Sequence, residues 1–137
     1  RAVPLASASA DVVVAGELFE HVRPLEPVIA EIARILRPGG IVVFDTLNAT
    51  RFARTALVTV AERLPGGPPP RIHDPALFVE PALLRGLFAA QGVDVTMHGL
   101  RPSVPEYLRF VVRRRGPVTM VRTGSLSGVY AGTGRKR

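Results

Sequence analysis

The sequence predicts an α/β fold built on a parallel β-α-β unit. The predicted strands at 11–15 and 40–45 contain unbroken apolar runs, residues 12–15 and 41–44, which are typical of strands that are covered on both faces. Between these runs, apolar residues recur at helical spacing over residues 28–36. Two such strands joined by a helix form a right-handed parallel unit. Their carboxyl ends then meet at one edge of the sheet, where open α/β sheets hold their ligands.

Size and composition indicate a single folded domain. The chain has 137 residues, of which 47% are hydrophobic. No apolar run approaches the roughly 18 residues that a membrane-spanning helix needs. The chain has no cysteine, which excludes a disulfide framework and thiolate chemistry. No secretory signal is visible in the first residues, so a cytoplasmic location is the default expectation.

The net charge of +7 is concentrated in the second half of the chain. From Arg101 onward, Glu106 is the one acidic residue among many basic ones. Such a region can bind nucleic acid or anionic lipid, or it can be an ordinary solvated surface. Tyr107 and Phe110 lie among these arginines, but residues 101–115 carry no recognised nucleic-acid motif. A nucleic-acid partner is therefore not expected.

Proline and glycine set the limits of the predicted helices. Pro24 and Pro27 can begin the first helix, and the Arg-Pro-Gly-Gly sequence at 37–40 ends it. A second helical pattern covers residues 49–64 and stops at a stiff Pro/Gly-rich loop, residues 65–71.

The second half predicts shorter elements. A helix begins at Pro81 and is capped by Gly92. Its predicted buried side chains are Leu83, Leu84, Leu87 and Phe88. The remaining predicted elements are a strand at 93–98, a helix at 105–113, a strand at 127–133 and a disordered tail at 134–137.

The turn after the first strand concentrates the residues suited to chemistry. Glu17, Glu20 and His21 would point the same way if Glu17 opens a helical turn. Two carboxylates and an imidazole suit a divalent metal such as Mg²⁺. His21 is also a candidate general base, with Glu20 beside it, although one imidazole nitrogen cannot be both ligand and base. The alternative is that Glu20 and His21 only cap and orient the turn.

Polar residues also follow the second strand and the Pro/Gly-rich loop. Thr46 and Asn48 could line a pocket for an acceptor substrate, or Asn48 could cap the following helix. His73, beside Asp74, is a second candidate for contact with substrate; the alternative is an ordinary loop histidine.

Three segments together resemble a known family. They are ADVVVAGELFEHV, ARILRPGGIVVFDTLN and IHDPALFVEPALL, in that order. They resemble the class I S-adenosylmethionine (SAM)-dependent methyltransferases, and most closely the demethylubiquinol / polyprenyl-hydroxyphenol O-methyltransferases. The resemblance spans residues 3–100, whereas residues 101–126 match the family poorly.

The resemblance implies a Rossmann-like, seven-stranded sheet with helices on both faces. This chain would hold the C-terminal part, with the strands at 93–98 and 127–133 as the antiparallel edge pair. The family's glycine-rich SAM loop would lie upstream of Arg1, and the chain does not begin with Met. We therefore expect residues 1–137 to be a partial domain that binds SAM poorly by itself, with a lid-like insertion at 49–80.

The resemblance also implies a reaction and its residues. SAM would donate a methyl group to a phenolic or catechol oxygen of a small, polyprenylated quinone precursor. Gly16 would contact SAM, and Glu17, Glu20 and His21 would hold a divalent metal. The lid would touch anionic lipid, which places the protein at the inner face of a membrane. The alternatives are C- or N-methylation of another small molecule and a non-catalytic basic binding module.

Overall fold

The computed structural model describes residues 2–56, 63 and 72–137. Within them, five strands form one sheet in the order β1-β2-β5-β3-β4. The strands are β1 (Ala10–Ala15), β2 (Leu36–Leu47), β3 (Val93–Pro102), β4 (Met120–Thr123) and β5 (Val129–Lys136). The helices are α1 (Leu25–Ile35), α2 (Arg51–Ala53), α3 (Pro81–Ala90) and α4 (Val104–Arg113).

The predicted parallel unit is confirmed. β1 and β2 pair in parallel and α1 connects them. β2 is longer than predicted, because the residues that end the helix also belong to an irregular start of the strand. The register moves from Ala10 opposite Leu36 to Val12 opposite Ile41, so the extra residues of β2 form a bulge. Gly40 is required there, since a Cβ atom would lie 2.9 Å from the carbonyl oxygen of Arg37.

One face of the sheet carries the core. α1 and α3 both pack on this face, with Phe19, Phe44 and Phe88 at its centre. The three rings lie 5.4–6.0 Å apart between centroids. Edge-to-face and stacked contacts of this kind add stability beyond the burial of the rings.

The opposite face is open within the described part of the chain. The side chains of Val12 and Val14 are 54% and 73% exposed, and those of Ile41 and Val43 beside them are also exposed. The prediction that these strands are covered on both faces is therefore wrong for this chain. An unbroken apolar run indicates what a strand can bury, but it cannot show which neighbours are present.

The second half of the sheet confirms some predictions and corrects others. β3 and β5 form the expected antiparallel pair, and Gly92 ends α3 with a φ of 71°. β4 was not predicted, and it pairs with β3 at the sheet edge. Leu83 is exposed rather than buried, because only Leu84 and Phe88 of α3 face the core closely.

The predicted disorder at 134–137 is wrong. β5 continues through Gly134, Arg135 and Lys136, which pair with β2 or β3. The ammonium group of Lys136 donates hydrogen bonds of 2.7 and 2.8 Å to the carbonyl oxygens of Ala33 and Leu36. These carbonyls lie at the C-terminal end of α1, where a positive charge is favourable. The C-terminal end of α1 thus helps to order the basic tail, and the composition of the tail alone cannot predict this contact.

The region predicted as a lid-like insertion is described only in part. Thr50 caps α2 by accepting a hydrogen bond from the amide of Ala53. Residues 57–62 and 64 of the predicted helix 49–64, and the whole Pro/Gly-rich loop 65–71, lie outside the described residues. Across the described ranges, no helix combines the length and apolar character needed to cross a bilayer.

The contact of Lys136 with α1 predicts a measurable stability. Lys136→Met should lower the free energy of unfolding by about 2 kcal/mol, because it removes two charge-assisted hydrogen bonds at a helix C-terminus. Urea unfolding measures the change. Arg137→Gln is the matched control, since its ion pair with Asp94 is exposed and should contribute less than about 1 kcal/mol. Equal free energies of unfolding for Lys136→Met and the parent chain would contradict a stabilising contact between Lys136 and the end of α1.

Candidate active site

Three strands end at the same edge of the sheet. β1 and β2 are parallel, and β3 runs in the same direction because both β2 and β3 pair antiparallel with β5. Gly16 and Glu17 follow the end of β1, and Asp45 lies near the end of β2. This edge is where an open α/β sheet presents a ligand site.

The turn after β1 differs from the predicted helical turn. Glu17 has a φ of +50°, in the left-handed region, and the 3₁₀ turn begins only at Phe19. Glu17 therefore does not share a helical face with Glu20 and His21, and the predicted common orientation is wrong. The sequence spacing was correct for a helix, but the backbone reverses direction before the helical turn starts.

Glu20 points into the protein. Its side chain is 1% exposed, and its Oε2 accepts a 2.7 Å hydrogen bond from the hydroxyl of Thr46. Its other oxygen, Oε1, is buried and has no hydrogen-bond partner among the described residues. The charge of Glu20 also reaches Tyr130, whose pKa is raised mainly by burial and further by this carboxyl group. The Tyr130 hydroxyl donates to the carbonyl of Val79.

His21 lies on the outside of the same turn and meets a second histidine. The exposed imidazole of His21 stacks on that of His73, with ring centroids 6.2 Å apart and planes at 17°. His73 in turn contacts the ring of Phe78 edge-on. The sequence named both histidines as candidates, and the structure brings them together although they are 52 positions apart.

Arg23 holds these two segments in place. Its guanidinium donates to the carbonyl oxygens of Phe19 and Val22 on its own side, at 3.0 and 2.6 Å. It also donates at 2.7 Å to the carbonyl of Leu77, in the segment that follows His73. One planar group with five donors can make such a bridge, which a lysine cannot reproduce.

An acidic pair, Glu17 and Asp45, lies beside Gly16. The pKa of Glu17 is raised, first by desolvation and then by the charges of Glu20 and Asp45 and a hydrogen bond with Asp45, while His73 lowers it. Gly16 is exposed, and a Cβ atom there would lie 3.2 Å from Oδ1 of Asp45. The backbone of Gly16 is therefore open to a ligand next to two carboxyl groups.

The polar residues after β2 are turned inward. Thr46 is fully buried against Glu20, so it supports the turn and does not line an acceptor pocket. Asn48 is 7% exposed and donates to the carbonyl of Leu126. It does not cap the following helix, since Thr50 does. Asp74 caps a short 3₁₀ turn by accepting from the amide of Ala76.

The predicted metal ligands are not assembled. Glu20 faces the interior and His21 faces outward. No group of three or more His, Cys, Asp or Glu side chains suited to a metal ion occurs in the part of the chain that the structure describes. The donor set predicted from Glu17, Glu20 and His21 thus does not fit a metal in this arrangement.

Sequence reasoning missed two residues of the site, Arg23 and Tyr130. It placed Asp45 with the polar residues at the end of the second strand, at the same edge as Gly16, but did not identify it as the partner of Glu17. Arg23 and Tyr130 carried no signal, since the contacts that join them to the segment at 77–79 are made with backbone carbonyls more than 50 positions away.

Known proteins provide an independent comparison. Residues 1–44 match the family model described as a methyltransferase domain. The ubiquinone biosynthesis O-methyltransferase of Idiomarina loihiensis is 35% identical over 94 residues, which cover 68% of this chain and 39% of that protein. The mitochondrial enzyme of the same name from Mus musculus is 35% identical over 91 residues, covering 66% of this chain and 25% of that protein. The chain thus spans about a quarter to two fifths of these relatives.

Solved structures show the same fold. A SAM-dependent methyltransferase of Thermotoga maritima superposes with a TM-score of 0.66 at 16% identity, covering 98% of this chain and 60% of that one. One from Archaeoglobus fulgidus gives a TM-score of 0.60 at 14% identity, covering 96% and 62%. The Rossmann-like fold prediction is confirmed. The chain thus has the fold of SAM-dependent methyltransferases, matches the methyltransferase-domain model over residues 1–44, and is similar in sequence to the ubiquinone biosynthesis O-methyltransferases.

Proposed function

We propose that the protein containing this chain transfers a methyl group from SAM to a phenolic or catechol oxygen of a small quinone precursor. The observation that carries the proposal is the exposed His21 imidazole in the turn that follows the exposed Gly16, at the sheet edge where β1 and β2 end. The curated relatives are named for O-methylation in ubiquinone biosynthesis, which supports an oxygen acceptor and a prenylated substrate.

The residues at this edge fit one side of a cationic cofactor. Gly16 leaves its backbone accessible, and the carboxyl groups of Glu17 and Asp45 lie next to it. Negative charge there attracts the sulfonium and ammonium groups of SAM. When bound, the cofactor supplies an electrophilic methyl group. Gly16, Glu17 and Asp45 would hold it against the end of β1.

His21 supplies the proton chemistry of the proposed reaction. A phenol is a weak nucleophile until its O–H proton is removed, and a neutral imidazole at the site can accept that proton as the oxygen attacks. Stacking on His73 and the bonds of Arg23 to the flanking carbonyls fix the ring. This fixed position lets the chain contribute proximity as well as a base. The sequence also predicts Glu20 as a catalytic residue. In the proposed reaction Glu20 would instead position the turn through its hydrogen bond with Thr46.

A divalent metal has no assembled ligand set among the described residues, so no step of the proposed reaction runs through one.

Removal of the proposed base tests the reaction directly. In the full-length gene product that carries this chain, His21→Gln should lower kcat for a catechol acceptor about 100-fold, because a positioned base contributes roughly that much. Methylated product is followed by chromatography. His98→Gln is the matched control, since His98 lies on β3 and accepts from Arg122. Added imidazole should restore part of the lost rate. Unchanged kcat in His21→Gln would contradict the assignment.

Arg23 is expected to act as a positioning residue. Arg23→Gln should lower kcat/KM about tenfold, because the two histidine segments are no longer tied together. Arg23→Lys should not restore activity, since an ammonium group cannot span the same carbonyls. Arg34→Gln is the control: Arg34 also binds backbone carbonyls, those of Val3 and Leu5, but away from the site. A loss of activity in Arg34→Gln as large as in Arg23→Gln would refute the positioning role.

The raised pKa of Glu17 predicts a pH dependence of stability. Because the folded pKa lies above the ordinary value of 4.5, the folded state holds this proton more tightly, and stability falls as pH rises through the folded pKa. Glu17→Gln should therefore be more stable than the parent near neutral pH and should equal it below the ordinary pKa. Urea unfolding at several pH values measures this. The same variant should bind SAM more weakly. Equal free energies of unfolding for Glu17→Gln and the parent chain at every pH would contradict the close approach of Glu17 to Asp45.

A further inference from the structure

Phe52 is an exposed aromatic side chain at the same sheet edge as Gly16 and His21. It belongs to α2, which begins just after β2 ends. Phe52 is 61% exposed, although an aromatic ring gains much from burial. The ring packs against Gly128, where a Cβ atom would lie 3.4 Å from Cε1 of Phe52. One side of the ring is therefore supported, and most of it is open.

A loop of residues 124–128 leads into β5 and is tied to the start of α2. The amide and the side chain of Asn48 both donate to carbonyl oxygens of this loop, at 2.9 and 2.7 Å. The hydroxyl group of Thr50 donates to a third carbonyl oxygen, that of Ser127. The same hydroxyl group accepts from the amide of Ala53 and so joins the loop to α2.

β3 fixes the other side of the loop. Gly99 of β3 is buried, and a Cβ atom there would overlap the carbonyl oxygen of Ser125. The loop therefore lies directly on the backbone of β3, and glycine is required for this close approach. Because hydrogen bonds hold one side of the loop and the sheet supports the other, its side chains are held in position before a ligand arrives.

Two hydroxyl groups lie on this fixed loop, and we call Ser125 and Ser127 the serine pair. Their Oγ atoms are 2.9 Å apart, so one hydroxyl group donates to the other. Two hydroxyl groups carry two protons, and within the described part of the chain the pair donates to no other group. Ser125 is exposed and Ser127 is half-buried. The second proton can therefore be donated to an oxygen atom of a ligand.

A row of rings connects Phe52 with the proposed base. His21 stacks on His73, and His73 contacts Phe78 edge-on. Phe78 belongs to the same buried cluster as Ala53, which follows Phe52 in α2. The row thus runs along the sheet edge from His21 to Phe52.

The separation between the proposed cofactor residues and Phe52 suits one ring. Asp45 lies beside Gly16, and Asn48, three residues further along the chain, is bonded to Gly128. At about 3.3 Å per residue of extended chain, Asp45 and Asn48 are roughly 10 Å apart. A single substituted aromatic ring can span this distance.

We propose that Phe52 and the serine pair bind the acceptor and select a planar aromatic ring that carries oxygen substituents. The face of the ring stacks on Phe52, and one ring oxygen accepts from the serine pair. A second oxygen faces His21. Ligand sites commonly combine apolar contact with a few placed polar groups in this way. The part given to His21 rests on the proposed function, whereas binding of the ring does not.

Calorimetric titration of catechol into the full-length gene product, without SAM, tests the inference. Phe52→Ala should weaken binding about tenfold, because it removes the stacked ring, and Phe52→Tyr should bind as the parent does. The double variant Ser125→Ala/Ser127→Ala should weaken binding about fivefold. Both serines are changed because either hydroxyl group alone could still donate.

A second ligand separates stacking from hydrogen bonding. Cyclohexanediol with adjacent hydroxyl groups has the same donors as catechol but no aromatic face. It should bind the parent protein about tenfold more weakly than catechol and should bind Phe52→Ala as it binds the parent. Equal binding of the two compounds to the parent, or no binding of catechol, would overturn the inference.

Leu108→Ala and Ser9→Ala are the matched controls. Leu108 of α4 is 59% exposed, close to the value for Phe52. The hydroxyl group of Ser9 donates to the carbonyl of Ala6, just before β1 and so at the opposite edge of the sheet. Both variants should bind catechol as the parent does. A loss of affinity in either control as large as in Phe52→Ala would overturn the inference.

Steady-state kinetics separate a role in binding from a structural one. Phe52→Ala should raise KM for catechol about tenfold and leave kcat within about twofold, because the proton transfer at His21 is unchanged. A fall in kcat at unchanged KM would contradict the assignment of Phe52 to the acceptor.

The inference and the proposed function fail in different ways. Catechol binding that depends on Phe52, without any methyl transfer, would support the ring site and contradict the proposed function. Methyl transfer to catechol that is unchanged in Phe52→Ala would support the proposed function and overturn the ring site.

Discussion

The buried hydrogen bond from Thr46 to Glu20 determines how the candidate site is arranged. It joins the turn after β1 to the end of β2 across 26 positions of sequence, inside a core from which water is excluded. A buried carboxyl group that lost this partner would pay a large desolvation cost. Because Glu20 faces inward, the neighbouring His21 faces outward, and Glu17 lies before the helical turn begins. The outward orientation of His21 thus depends on the buried hydrogen bond between Thr46 and Glu20.

Much of the fold could be predicted because local pattern and tertiary structure agree. The apolar runs predicted strands β1 and β2, the helical spacing between them predicted α1, and Gly92 predicted the end of α3. Prediction failed where the deciding partner is distant. Glu17 followed the helical spacing, but its left-handed backbone removed it from the helix. The basic tail at 134–136 is part of a strand because it pairs with β2 and β3. The ammonium group of Lys136 also donates to two carbonyl oxygens at the end of α1.

The candidate site was predicted in its residue types but not in their grouping. The sequence joined Glu17, Glu20 and His21 into one ligand set, whereas the structure joins His21 with His73 and Glu17 with Asp45. Arg23 supports the pairing of His21 with His73 through hydrogen bonds to backbone carbonyls, and a sequence motif cannot predict such bonds. In the proposed reaction the two groups have different uses: the imidazole of His21 accepts a proton, and the carboxyl groups of Glu17 and Asp45 hold the cofactor beside Gly16. The exposed side chains of Val12 and Val14, on the strand that leads into this turn, offer apolar surface for further contacts.

The proposed function requires that this edge of the sheet supports methylation of an oxygen atom. The most direct measurement is the product formed by the full-length gene product from SAM with an isotopically labelled methyl group and a catechol acceptor. NMR of the product distinguishes a methyl group on oxygen from one on carbon or nitrogen. The expected product is an O-methyl ether. A carbon- or nitrogen-bound methyl group, or no transfer to phenolic acceptors by a protein that binds SAM, would contradict it.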